Sequence, residues 1–256
     1  MFKACSCVLA LLLGIGLISA QDKSAGSTEK VDPRVKELMK RMGTFLESLK
    51  KYALEAEETI DEWSDEAGMY IQLSHQRKVL VVRPNGVHST TSGDQQRCFY
   101  YNGKTITLHE RDKNTYVTVP APDTIEKAMQ DMHEKYGMNL PLADLLLSRP
   151  DAAMLKNVDY AFYLGERTIE NVKCHHIACS QRNIDWQLWV EQGEQPLPRK
   201  LVITHTRLGG DPKYVAVIKK WNLDPKPEPG CFDFKKPEGA MQMDMPRLGV
   251  DPGRDK

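Results

Sequence analysis

From Ile184 to His205 the chain reads IDWQLWVEQGEQPLPRKLVITH, two arms of alternating apolar and polar residues around a polar, proline-containing turn. That pattern predicts a β-hairpin. Ile184, Trp186, Leu188 and Val190 share one side of the first arm, and Asp185, Gln187 and Glu191 share the other, with Trp189 breaking the alternation. A strand with one greasy face packs a core or lines an apolar cavity.

Residues 21–31 are small and polar and read as a flexible leader. Asp32 can cap a helix, Pro33 suits its first position, and Val35, Leu38, Met39, Met42, Phe45, Leu46 and Leu49 recur at three- and four-residue steps. The spacing predicts an amphipathic helix from Pro33 to about Lys51, whose apolar stripe must cover something. The period then falls to two at Tyr52, Leu54 and Ala56, and strand character runs on from Gly68 to Arg83. Arg83-Pro84-Asn85-Gly86 signals a turn, and Asn102-Gly103 signals a hairpin between Cys98–Tyr101 and Thr105–Leu108. Thr115 to Val119 reads as a further strand. Asp123 to Tyr136 returns to helical spacing, with Asp123 as the expected N-cap, Glu126 three residues on and Gly137 after the last turn. Leu140–Leu147 and Ala152–Leu155 read as shorter helical pieces. Strands follow at Tyr160–Leu164, Cys174–Cys179, the Ile184–His205 hairpin and Tyr214–Leu223, and residues 241–256, which show no period, read as a loose tail.

The N-terminus has its own pattern. Lys3, the apolar run Val8–Ile18 and the small residue Ala20 predict a cleavable secretory signal over residues 1–20. The run falls well short of the ~20 residues a spanning helix needs, so no transmembrane anchor is expected after cleavage. Removal of Lys3 leaves 34 basic against 35 acidic residues, which gives no electrostatic reason to expect nucleic acid. Four cysteines remain, Cys98, Cys174, Cys179 and Cys231, and an oxidising compartment makes all four candidate disulfide cysteines. Cys174 and Cys179 are five apart in an expected strand and point to opposite faces, so a bridge between them is disfavoured.

Cys174-His175-His176-Ile177-Ala178-Cys179 is the sharpest chemical constellation, since Cys and His suit zinc and copper. On a strand, however, Cys174 and His176 face one way while His175 and Cys179 face the other, so one ion is not clasped by all four, and a site would need a bulge or a distant ligand such as His133 or His205. A thiol hydrolase would use Cys174 with a spatially near His and a carboxylate such as Asp144 or Asp185. No GxSxG, P-loop, dinucleotide fingerprint or HExxH occurs. The reading is therefore of no catalytic residues, no cofactor and no metal. Met129, Met132 and Met138, with Leu140, Leu142, Leu145, Leu146 and Leu147, instead make the mid-chain helices rich in flexible apolar side chains that adapt to greasy partners.

Several segments together resemble a bacterial family of predicted periplasmic proteins that is a domain of unknown function. They are Cys98-Phe99-Tyr100-Tyr101-Asn102-Gly103-Lys104-Thr105-Ile106-Thr107-Leu108, Thr118-Val119-Pro120-Ala121-Pro122, Leu140-Pro141-Leu142-Ala143-Asp144-Leu145-Leu146, Cys174-His175-His176-Ile177-Ala178, and the arms Asp185–Trp189 and Leu197–Thr204. The resemblance extends over about Asp32 to Ala240. At the level of fold that family is similar to LolA-type lipoprotein carriers, related lipid-binding lipoproteins and envelope-stress regulators. It implies one α+β domain over residues 32–240: a strongly curved antiparallel half-barrel covered by the N-terminal helix and the mid-chain helical insertion. The function it implies is a periplasmic binding protein for a lipid, an acyl chain or a lipidated protein, lined by Met129, Met132, Leu145, Leu146, Trp186 and Leu188. The alternative is a module that binds an envelope protein or senses envelope stress without lipid cargo; a metal- or thiol-dependent hydrolase at Cys174 and His176 stands behind both.

Overall fold

The computed structural model describes residues 30–138 and 142–245. The expected signal (1–20), most of the leader, Leu140, Pro141 and the tail from residue 246 lie outside the described residues.

Among the described residues twelve strands form one sheet: β1 (Lys51–Ser64), β2 (Met69–Val82), β3 (Gly86–Gly93), β4 (Arg97–Tyr101), β5 (Thr105–Glu110), β6 (Thr115–Pro120), β7 (Tyr160–Ile169), β8 (Val172–Gln181), β9 (Ile184–Glu191), β10 (Pro198–His205), β11 (Lys213–Asn222) and β12 (Met241–Gln242). Their spatial order is β12-β6-β5-β4-β3-β2-β1-β11-β10-β9-β8-β7. Two antiparallel meanders, β1 to β6 and β7 to β11, are joined by the β1–β11 ladder. The predicted hairpin at Ile184–His205 is β9–β10, with Leu188 opposite Leu201 and Trp186 opposite Ile203.

Among the described residues four helices cover one face: α1 (Pro33–Ser48), α2 (Ile125–Tyr136), α3 (Ala143–Leu146) and α4 (Pro150–Leu155). Asp32 caps α1 by accepting from Arg34 N at 2.8 Å, and the stripe Val35, Leu38, Met39, Met42 and Leu46 is buried. This helix stops at Ser48, short of the expected Lys51, because Lys51 already pairs with Val82 in the β1–β2 ladder. On α2 the expected cap Asp123 is replaced by Thr124, whose hydroxyl accepts from Lys127 N, while Asp123 holds the Lys127 ammonium at 3.1 Å. Gly137 ends α2 in the left-handed conformation (φ 66°), a backbone state that costs glycine little.

A flat sheet of this many strands would be about 50 Å wide at ~4.8 Å per strand. Yet residues from both of its flanks, Ile106 and Val119 on one side and Ala161 and Ile177 on the other, belong with the helix stripes to one buried apolar cluster. The sheet is therefore strongly curved and remains open, the α+β half-barrel expected from the sequence, with its core between the concave face and the helices.

The outermost described segments lie on the two sheet edges. Val31 forms a parallel bridge with Ala161 on β7, through Asp32 N to Ala161 O and Ala161 N to Lys30 O at 3.0 and 2.9 Å. At the other edge β12 pairs in parallel with β6, Met241 beside Thr115 and Gln242 beside Tyr116. Residues 241 and 242 were expected in the loose tail; the open edge of β6 gives their backbone groups partners, a tertiary cause that leaves no sequence period.

Candidate functional site

In each ladder directly opposed residues share a face, so the concave side can be followed strand by strand. It carries Tyr52, Leu54 and Ala56 on β1, Val79 and Val81 on β2, Phe99 and Tyr101 on β4, Leu201 on β10, Trp186 and Leu188 on β9 and Ile177 on β8. The cover is built in two parts. Over β7–β10 lies α1: Arg34 stacks on the Tyr163 ring at 4.7 Å, and Arg41 Nη2 donates to Gly193 O at 2.9 Å. Over β1–β3 lie α2 and α3: Ile125 N donates to Pro84 O at 2.9 Å, and the buried Tyr52 hydroxyl donates to Leu145 O at 3.2 Å. The two parts meet where α4 crosses α1 at Gly43, and a Cβ there would overlap the Asp151 carboxyl.

A polar latch fastens the second part to the sheet. Arg83, next to the end of β2, donates to Leu147 O at 2.9 Å and reaches Ser148 Oγ at 3.4 Å and Glu126 Oε1 at 3.5 Å. Glu126 in turn accepts from Ser148 N at 2.9 Å and Ser148 Oγ at 2.5 Å. Burial works to raise the Glu126 pKa, but the Ser148 bonds and the Arg83 charge outweigh it and hold the carboxyl below its ordinary value.

Of the residues expected to line a ligand cavity, Met129 and Met132 sit on α2, Leu145 and Leu146 on α3, and Trp186 and Leu188 on β9. All six are buried in the same apolar cluster, none more than 8% exposed. They are thus brought onto one continuous interior, but from the two separate parts of the cover and floor, and they are packed against protein. A groove of about 400 Å³ does open to solvent beside α1, but its walls are Glu37, Lys40, Arg41, Phe45, Glu194 and Pro196, outside the expected lining.

The Cys/His stretch lies in β8. His176 pairs across the sheet with Trp189, and the rings stack at 4.0 Å and 10°. Lys200 sits over the same indole at 5.0 Å, and Gln187 bonds His176 Nε2 at 3.0 Å. This convex-side stack explains why Trp189 breaks the alternation. His175, on the other face, bonds the Tyr163 hydroxyl at 2.8 Å. Among the described residues no group of three or more His, Cys, Asp or Glu is placed to hold a metal ion. The four described cysteines carry free thiols in this structure, with Cys98, Cys174 and Cys179 buried and Cys231 partly exposed. Burial pushes the Cys174 thiol up to about 11 and the Cys179 thiol up to about 12, the opposite of what an attacking thiolate needs.

One polar group was missed in the sequence. Glu58 lies on the concave face, 2% exposed, where Arg77 Nε donates to it at 2.7 Å and the Tyr214 hydroxyl at 2.6 Å. Its signal was its phase: it continues the alternation Tyr52, Leu54, Ala56, which the acidic run around it obscured.

An open, curved sheet with an apolar concave face covered by helices defines an α+β half-barrel. The chain belongs to the family described as predicted periplasmic protein (DUF2092), which matches residues 35–245, and it is a periplasmic protein. No curated protein matches its sequence. Among solved structures, an uncharacterized conserved protein from Thermus thermophilus aligns with a TM-score of 0.50 at 9% identity, over 82% of this chain and 99% of that one. The Mycobacterium tuberculosis lipoprotein LppX aligns at 0.48 and 12%, over 76% and 98%. The MucA/MucB complex of Pseudomonas aeruginosa aligns at 0.45 and 11%, over 79% and 61%. At these identities the likeness is one of fold.

Proposed function

We propose that this protein is a periplasmic binding protein that shelters a hydrophobic ligand, a lipid, an acyl chain or the acyl part of a lipidated protein, between the concave face and its helical cover. The observation that carries the reading is the nature of the closure. One wall of the core is continuous sheet, whereas the other is four separate helices, two of them under eight residues long, which pack on it through buried apolar side chains and are pinned on the α2–α3 side by polar contacts around Arg83, Glu126 and Ser148. Such a wall can open at a cost well below global unfolding. In the closed state Met129, Met132, Leu145, Leu146, Trp186 and Leu188 are buried in one apolar cluster; once the cover lifts, the same atoms would line the site. Burying a 16-carbon chain at ~0.8 kcal/mol per CH₂ gives a gross gain of roughly 10 kcal/mol, enough to offset that opening without dedicated catalytic groups.

The test is native and denaturing mass spectrometry, with solvent extraction, on the mature chain purified from its own envelope. A bound lipid near unit stoichiometry is expected, and it is expected to be lost in Met132→Asp and Leu146→Asp variants that keep their circular dichroism. An empty wild-type chain overturns the reading.

A second reading, a module that docks an envelope protein, is favoured by a different observation. Tyr160, Phe162 and Leu164 alternate along the edge strand β7 and are 48%, 54% and 40% exposed, an apolar stripe on the side away from the core.

A further inference from the structure

A charged pair sits in the concave face apart from the latch that holds the helices. In the β1–β2 ladder Glu58 lies opposite His75, and Ala56 lies opposite Arg77, so all three polar side chains point to the concave side. Arg77 and the Tyr214 hydroxyl both bond the same Glu58 oxygen, Oε1. The other oxygen, Oε2, and Nε2 of His75 are buried with no hydrogen-bond partner, although the Glu58 side chain is only 1% exposed. The two atoms belong to directly opposed residues on one face, and a buried carboxylate oxygen and a buried ring nitrogen left bare are costly unless a further group completes them.

The position in the fold says which end of a ligand this group belongs to. Along the concave side of β1, Tyr52, Leu54, Ala56 and Glu58 are buried, Ile60 is half-buried and Glu62 is exposed. Tyr52 lies under α3 through its bond to Leu145 O. Glu58 is about 20 Å further along the strand at ~3.3 Å per residue, the reach of a long acyl chain. A tail held under the helices therefore ends beside Glu58 and His75.

The charge of the cluster says what that end is. Glu58 is neutralised by Arg77, and burial holds His75 below its ordinary pKa against the pull of Glu58, so the ring is neutral. The neighbours on the third strand are the hydroxyls of Ser89 and Thr91, both buried, with Ser89 Oγ 3.5 Å from Arg77 Nη1. Arg97, opposite Thr91 and also felt by His75, is paired with Glu110 at 3.4 Å, so the cations around the cluster already have carboxylate partners and none is held ready for a phosphate or carboxylate. A hydroxyl matches, since it can donate to Glu58 Oε2 and accept from His75 Nε2.

We propose that Glu58 and His75 form the head-group site for an uncharged, hydroxyl-bearing amphiphile of the acylglycerol or acylated-sugar class. This rests on the hydrophobic-ligand reading. The test uses the delipidated mature chain and two probes with the same tail, monopalmitoylglycerol and palmitate, titrated by native mass spectrometry. Wild-type protein is expected to favour monopalmitoylglycerol about tenfold or more, the worth of a hydrogen bond to a charged group. Glu58→Gln and, separately, His75→Phe are expected to bring the two probes within about threefold of each other, with palmitate binding retained. Should Glu58→Gln fail to fold, His75→Phe carries the test. Equal affinities in wild type, a preference for palmitate, or an unchanged ratio in the folded variants overturns the head-group site while leaving the hydrophobic-ligand reading standing. Binding of neither probe overturns both.

Discussion

Arg83 Nη2 donates to the carbonyl oxygen of Leu147 at 2.9 Å, and through that bond a residue beside the sheet holds the loop between α3 and α4. The side chain is 12% exposed, and its guanidinium also meets Ser148, Glu126 and, at 5.9 Å, the Tyr52 ring. Replacing it with Met keeps the stem and removes every donor. Arg83→Met is expected to cost about 1–3 kcal/mol, since the Leu147 carbonyl and Glu126 lose a charged partner. The distinguishing result is local: hydrogen exchange rises in residues 142–155 and a hydrophobic dye binds, while β1 and β11 stay protected.

Gly43 faces Asp151 where α1 crosses α4. In an isolated helix Gly→Ala stabilises by up to ~1 kcal/mol, but here the added carbon overlaps the Asp151 carboxyl, which Arg149 grips at 2.9 and 3.0 Å. Overlap is expected to win, so Gly43→Ala lowers stability by about 1–3 kcal/mol. Thermal melts check this: the double variant with Asp151→Gly recovers part of the loss, which a purely local helix effect would not allow.

Acid acts through buried imidazoles. Burial holds His75, His88 and His176 below the ordinary 6.5, most simply at His88, where no other cause acts. The unfolded chain thus takes up protons near 6.5 that the folded chain accepts only at lower pH. The stability these groups contribute is complete above 6.5 and is lost as pH falls from there towards the folded values. Melting temperature is expected to drop between about pH 7.5 and pH 5.5, and His88→Gln is expected to flatten that slope. A rise on acidification would contradict the assignment.

Thiol reactivity follows exposure. Cys231 is the partly exposed cysteine and is expected to react first with a thiol reagent in the native protein, with Cys98, Cys174 and Cys179 reacting after unfolding. Denatured protein then yields four thiols; a lower count from envelope-purified material would show a bridge that the free-thiol structure does not contain.

Features set by near neighbours in the chain were readable from it. The α1 stripe, the Asn102-Gly103 turn and the β9–β10 alternation all depend on local spacing, and all three form. Features set across the sheet were not. Thr124 replaces Asp123 as the cap of α2 because Ile125 N is bonded to Pro84 O, a contact from the β2–β3 turn. Strand β7 runs on to Ile169 through the polar stretch Glu166-Arg167-Thr168, because β8 supplies its partners. Apolar lining candidates could be listed from composition and period, whereas Glu58 needed its register with His75 and Tyr214 before it could be told from the solvated acids around it.

Each margin of the sheet is partly covered by the outermost described parts of the chain, Val31 at one bridge on β7 and Met241–Gln242 beside two residues of β6. An open sheet otherwise offers rows of bare amide and carbonyl groups to any passing strand. The second seal exists only once residue 242 has arrived. A fragment ending before it would hold nearly the whole core and still present a raw margin, so premature ends should give polymers rather than a weaker monomer.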